Sequence, residues 1–72
     1  MYPNPVKDHL RIRSEKRIDL VIVRNLMGQT VKTVSVNNLE ATLDLSQVPV
    51  GSYLITLKLA DGRLSTEKIV KL

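Results

Sequence analysis

The sequence predicts an all-β fold, a sandwich of six or seven short antiparallel strands in a single domain of residues 1–72. Three observations carry this. Apolar and polar residues alternate in run after run, the period of two that turns one face of a strand inward. Gly, Pro, Asn and Asp interrupt the runs at short intervals, as turns do. No window keeps a helical period for ten residues.

The elements follow in order. Tyr2-Pro3-Asn4-Pro5 cannot lie in a helix interior or a central strand, because each proline lacks a backbone donor. The residues before proline favour extended geometry, so a rigid, extended lead-in is expected. Val6 to Arg13 alternates Leu10 and Ile12 with Arg11 and Arg13, a half-buried strand. Ser14-Glu15-Lys16 reads as a turn. Arg17 to Arg24 places Ile18, Leu20 and Ile22 on one face and Val21 and Val23 on the other, the pattern of a central strand. Asn25-Leu26-Met27-Gly28 is a hairpin loop in which Gly28 supplies a positive φ. Leu26 and Met27 either form a small exposed contact patch or pack under that loop.

Gln29 to Val36 is the return strand. Its valines change parity between Val31 and Val34, which predicts a bulge near Lys32 or Thr33. Asn37-Asn38 signals a turn. Ala41 to Leu45 is a short strand with Leu43 and Leu45 inward. Ser46 to Ser52 holds Pro49 and Gly51 and is irregular. Tyr53 to Ala60 turns Tyr53, Ile55, Leu57 and Leu59 to one face. Asp61-Gly62 has the composition of a two-residue type I′ turn. Arg63 to Leu72 closes the domain, and the opposite parity of Leu64 and Ile69 predicts a bulge or a change of partner.

Composition narrows the function classes. There is no cysteine, which removes disulfides and thiolate metal sites. Eleven Lys and Arg against seven Asp and Glu give a net charge of +4. Arg11, Arg13, Lys16 and Arg17 cluster, but they alternate along a strand or flank a turn. The two aromatics, Tyr2 and Tyr53, lie outside that cluster, so the stacking partners of a nucleic-acid surface are missing. No segment reaches the ~20 apolar residues of a membrane-spanning helix. No apolar signal-peptide core follows Met1, so the chain is expected either to stay inside the cell or to be the excised C-terminal piece of a longer protein.

Catalysis finds no candidates. His9 is the lone histidine and sits at an outward strand position, without the further ligands a structural zinc site needs. The carboxylates Asp8, Asp19, Asp44, Asp61 and Glu67 fall on turns or outward positions, with no cleft to pair them. The glycines are too far apart to cradle a phosphate. The expectation is no enzyme, no metal and no cofactor. Val48-x-x-Gly51-x-Tyr53 instead has the form of a tyrosine corner in immunoglobulin-like sandwiches, where the hydroxyl bonds back to the loop backbone.

Taken together, Tyr2-Pro3-Asn4-Pro5, Leu10 and Ile12, Asn25-x-x-Gly28-Gln29-x-Val31, Leu43-Asp44-Leu45-Ser46, Val48-x-x-Gly51-x-Tyr53 and Lys68-Ile69-Val70-Lys71 resemble the C-terminal sorting domain of the type IX secretion system, type A. The likeness spans the whole chain. It implies an immunoglobulin-like fold and a domain cut from a larger secreted protein. It implies passage through the periplasm and the outer-membrane translocon to the cell surface or medium. An outer-membrane shuttle protein and a sortase-like peptidase that removes the domain are the implied partners. The positions that match family motifs are Pro3, Asn4, Pro5, Gly28, Gly51, Tyr53 and Lys68 to Lys71.

On this reading Lys68, Ile69, Val70, Lys71 and Leu72, with the Asp61-Gly62 hairpin, dock on the transport machinery, partly by strand-edge pairing. Edge strands also give a route to homo-oligomers. The competing reading is an immunoglobulin-like accessory module that binds carbohydrate or spaces an adhesin. The lack of Trp and Phe argues against sugar stacking.

Overall fold

In the computed structural model, which describes residues 1–72, four strands form: β1 (His9–Asn25), β2 (Thr30–Asp44), β3 (Gly51–Leu59) and β4 (Leu64–Lys71). They make one antiparallel sheet in the order β2-β1-β3-β4, with no helix. The all-β expectation holds, but there are four strands in one hydrogen-bonded sheet rather than six or seven in a sandwich. The reason lies in β1 and β2. Ser14-Glu15-Lys16 and Asn37-Asn38 face each other across one hairpin, so both are absorbed as irregularities in register between Arg13↔Glu40 and Ile18↔Asn38. The hairpin bends there as a unit and does not break.

The bend is sharp. A straight strand of 17 residues at about 3.3 Å per residue would run far beyond the molecule's longest extent of 32 Å. Lys32 Nζ also donates to Asp44 O at 2.7 Å, although both residues belong to β2. Asn37 takes φ 52°, a left-handed conformation that asparagine tolerates better than most side chains. The hairpin thus has a first arm, His9–Arg13 with Glu40–Asp44, and a second arm, Ile18–Asn25 with Thr30–Asn38. The second arm continues into β3 and β4.

Folding the sheet over itself brings two sets of aliphatics together. Leu10, Ile12, Leu43 and Leu45 come from the first arm and its exit. Val21, Val23, Ile55, Leu57 and Ile69 come from the second, and all join one buried cluster with Val6, Ile18, Val48 and Tyr53. Each such burial contributes about 1.5–3 kcal/mol, so this cluster holds the bend shut. No buried side-chain nitrogen or oxygen lacks a hydrogen-bond partner.

Several local expectations need correction. β1 carries an extra residue at Asp19, because Ile18↔Leu59 is followed by Leu20↔Lys58. This flips the parity, so Ile18 is buried with Val21 and Val23, while Leu20 and Ile22 lie half-buried on the other face. β1 is central as expected, between β2 and β3. The expected bulge in β2 lies at Val31, between Val23↔Lys32 and Arg24↔Thr30. β4 keeps an unbroken register with β3, so Leu64 needs no bulge and simply faces outward. The Asp61-Gly62 hairpin is not a two-residue turn. Gly62 N donates to Leu59 O and Leu59 N to Arg63 O, leaving three loop residues with Gly62 at φ 89°. Asn25 to Gln29 repeats this geometry, with Gly28 at φ 87°.

Candidate functional site

The C-terminal strand is built from alternating roles. Ile69 is fully buried and Lys71 nearly so, its Nζ donating to Leu72 O at 2.7 Å. Lys68 faces solvent, Val70 is 38% exposed and Leu72 is exposed. So within Lys68 to Leu72 only Lys68, Val70 and Leu72 offer side chains to a partner. Asp61 and Gly62 sit at the other end of β4, with the strand residues Leu64 to Glu67 between them and Lys68, so the hairpin and the C-terminal residues do not form one contiguous site. In that hairpin Asp61 Oδ1 accepts from Arg63 N at 3.0 Å, and Asp61 Oδ2 lies 3.2 Å from Arg63 Nε.

The backbone edge of β4 is partly occupied by the chain's own N-terminal residues. Val70 N donates to Asn4 Oδ1 at 3.1 Å, and Asn4 Nδ2 donates to Lys68 O at 3.3 Å. Val6 N then donates to Val70 O, and Leu72 N to Val6 O, both at 2.8 Å. The Asn4 side chain stands in for a strand backbone, which prolines on either side could not supply as donors. Tyr2 exchanges both backbone hydrogen bonds with Arg11, so the same segment also borders the first arm. This overturns the extended lead-in: residues 3–5 are bends with cis bonds before Pro3 and Pro5. Edge pairing at Lys68 to Leu72 is likewise taken, and β4 is open only beside Leu64 and Thr66.

The loop before β3 is fixed by its tyrosine. Tyr53 is buried, and its hydroxyl donates to Pro49 O at 2.7 Å. A Cβ added at Gly51, where φ is 153°, would lie 3.9 Å from the Tyr53 ring. At the neighbouring loop, which leaves β1 at Asn25 opposite Tyr53, Leu26 and Met27 are 60% and 85% exposed. They do not pack beneath their loop, which resolves the two readings left open by the sequence.

The outer face of the first arm holds a shallow cleft of about 460 Å³ bordered by Tyr2, His9, Arg11, Arg13, Glu40 and Thr42. Its charges largely meet one another. Arg13 Nη2 and Nε reach Glu40 Oε1 at 2.6 and 2.9 Å, and this hydrogen-bonded carboxylate raises the guanidinium pKa. His9 stands opposite Asp44 in register. Asp44 is held below the usual carboxylate range by Ser46, whose hydroxyl and backbone N–H both donate to Oδ1, at 2.6 and 2.9 Å. No group of three or more His, Asp or Glu side chains is placed to hold a metal ion.

Sequence reasoning missed the Asn4 clasp on β4. The signal was present, because the prolines on either side remove two backbone donors and the Asn4 side chain brings both a donor and an acceptor to the segment. It also missed that the outward positions of β1, β3 and β4 share one face, since that depends on the bulge at Asp19.

The family model described as "Secretion system C-terminal sorting domain" matches residues 1–72. No curated protein and no solved structure matches the chain.

Proposed function

The chain belongs to the family of secretion system C-terminal sorting domains, and from that premise we propose that it works as a folded address label on a larger cargo. Membership makes it a C-terminal sorting signal of type IX secretion, carried by a protein exported to the cell surface or secreted. The finer steps belong to the proposal. The cargo reaches the periplasm, the translocon and an outer-membrane shuttle protein read the folded domain, and a sortase-like peptidase removes it.

The observation that carries this reading is the family match across every strand and both glycine hairpins. The fold supports it in physical terms. A sheet bent over one small core offers rigid outer faces and leaves no deep enclosed pocket. Edge pairing, with the machinery or with a second copy, would use β4 beside Leu64 and Thr66, because Asn4 and Val6 cover the rest of that edge.

Deleting Lys68 to Leu72 from a cargo that ends in this chain tests the proposal. The deletion removes the buried Ile69 together with the exposed Lys68 and Val70. The cargo should then remain in the periplasm. Normal surface delivery after the deletion would rule the proposal out.

A further inference from the structure

The strand register assigns a set of outward side chains to one continuous face of the second arm. Leu20, Ile22 and Arg24 of β1 stand opposite Lys58, Thr56 and Leu54 of β3. Those three in turn stand opposite Leu64, Thr66 and Lys68 of β4, and Val70 follows opposite Ser52. Residues directly opposite in an antiparallel pair share a face.

This face differs from an ordinary solvated one. An antiparallel sheet with one face on the core normally turns polar residues to water on the other. Here Leu20, Ile22 and Leu54 lie half-buried with no further layer over them, and Leu64 is 67% exposed. Thr56 and Thr66 bond to each other through their hydroxyls at 3.0 Å, so these two groups make little demand on water. Three cations are set among these residues: Lys58 stands between Leu20 and Leu64, and Arg24 and Lys68 flank Leu54. The strand positions that make up the face carry no Asp or Glu, and none of the three cations is in an ion pair. The outer face of the first arm is built the opposite way, with Arg13 against Glu40 and His9 against Asp44. One outer face is internally neutralised, and the other interleaves aliphatics with three cations that no carboxylate answers.

We propose that this second-arm face is the docking surface of the domain, and that its partner is a protein surface on which apolar side chains are interleaved with Asp and Glu. This rests on the sorting reading and specifies which face the machinery touches. The aliphatic side chains supply burial, and the cations supply orientation and a faster encounter with an acidic surface. Lys68 and Val70 reach the partner from this face, whereas Ile69 and Lys71 point into the core and act only through folding.

The test uses a periplasmic reporter enzyme joined ahead of residues 1–72, in a bacterium with a working type IX system. Surface delivery is read by protease access on intact cells. Lys58→Glu with Lys68→Glu reverses two of the three cations, and Leu54→Thr removes an aliphatic side chain of the face while keeping a strand-forming residue. Arg11→Glu, on the first-arm face, is the control. Both second-arm variants should lose at least about tenfold in delivery, the control should deliver as the parent does, and thermal midpoints of all three should stay within about 4 °C of the parent. If the second-arm variants deliver like the parent, or Arg11→Glu loses as much, the face is wrong and the sorting reading stands. If the parent fusion itself stays in the periplasm, the sorting reading falls and this inference with it.

Discussion

Two neighbouring residues of β4 should respond oppositely to mutation. Ile69 is fully buried and Val70 is 38% exposed. Ile69→Ala removes three carbons from the core, worth about 0.8 kcal/mol each in transfer, or about 2.4 kcal/mol. The cavity left behind brings the total to about 2–5 kcal/mol. A chain of 72 residues at about 0.05–0.15 kcal/mol per residue holds only about 4–11 kcal/mol. The variant should therefore lose about a fifth of its stability at the least. At about 4–8 °C per kcal/mol for a domain of this size, a loss near 3 kcal/mol lowers the midpoint by about 12–24 °C. Val70→Thr keeps the branched shape and the backbone bonds to Asn4 and Val6, so it should cost about 0.5 kcal/mol or less. Urea unfolding followed by circular dichroism and tyrosine fluorescence, backed by a thermal melt, measures both. Equal losses at the two positions, or a loss below about 1 kcal/mol for Ile69→Ala, would refute the alternation assigned to β4.

Three further outcomes are expected. Tyr53→Phe deletes the hydroxyl that donates to Pro49 O and should cost about 1 kcal/mol, read as a lower urea midpoint with an unchanged slope; no change would contradict the corner. Gly62 sits at φ 89° with open space where a Cβ would go, so Gly62→Ala should cost about 1–2 kcal/mol from conformation alone, and Gly62→Asn less; equal melting of all three chains would contradict the left-handed turn. Asp44 has its pKa lowered in the fold, so its contribution to stability is complete above its unfolded value and is lost as pH falls through the folded one. Carbon-detected titration should show Asp44 moving toward the ordinary carboxylate value in Ser46→Ala, and an unmoved titration would sink the Ser46 assignment.

Much of the fold was legible because local chemistry fixes it. Leu43 and Leu45 point inward from simple alternation, and Tyr53, Ile55 and Leu57 follow the same rule. Gly28 and Gly62 mark the two hairpins because each takes a positive φ. Strand count was not legible. Ser14-Glu15-Lys16 and Asn37-Asn38 each read as chain breaks, and only their juxtaposition across the hairpin turns them into one shared bend. Alternation from Ile18 puts Leu20 and Ile22 on its face, but the single extra residue at Asp19 reverses the strand's faces, and sequence alternation alone does not reveal it. The candidate site was half legible. The ends of the chain drew attention, yet the closure of β4 by Asn4 and Val6 depends on contacts more than sixty residues apart in sequence.

The most direct measurement is transplantation. Residues 1–72 are joined to the C-terminus of a foreign periplasmic enzyme in a type IX-competent strain and in a matched strain lacking the outer-membrane translocon. Protease accessibility on intact cells reports where the enzyme stands. A folded sorting label predicts that the enzyme reaches the surface or medium only in the competent strain. Periplasmic retention in both strains, with the attached domain folded, would contradict the account.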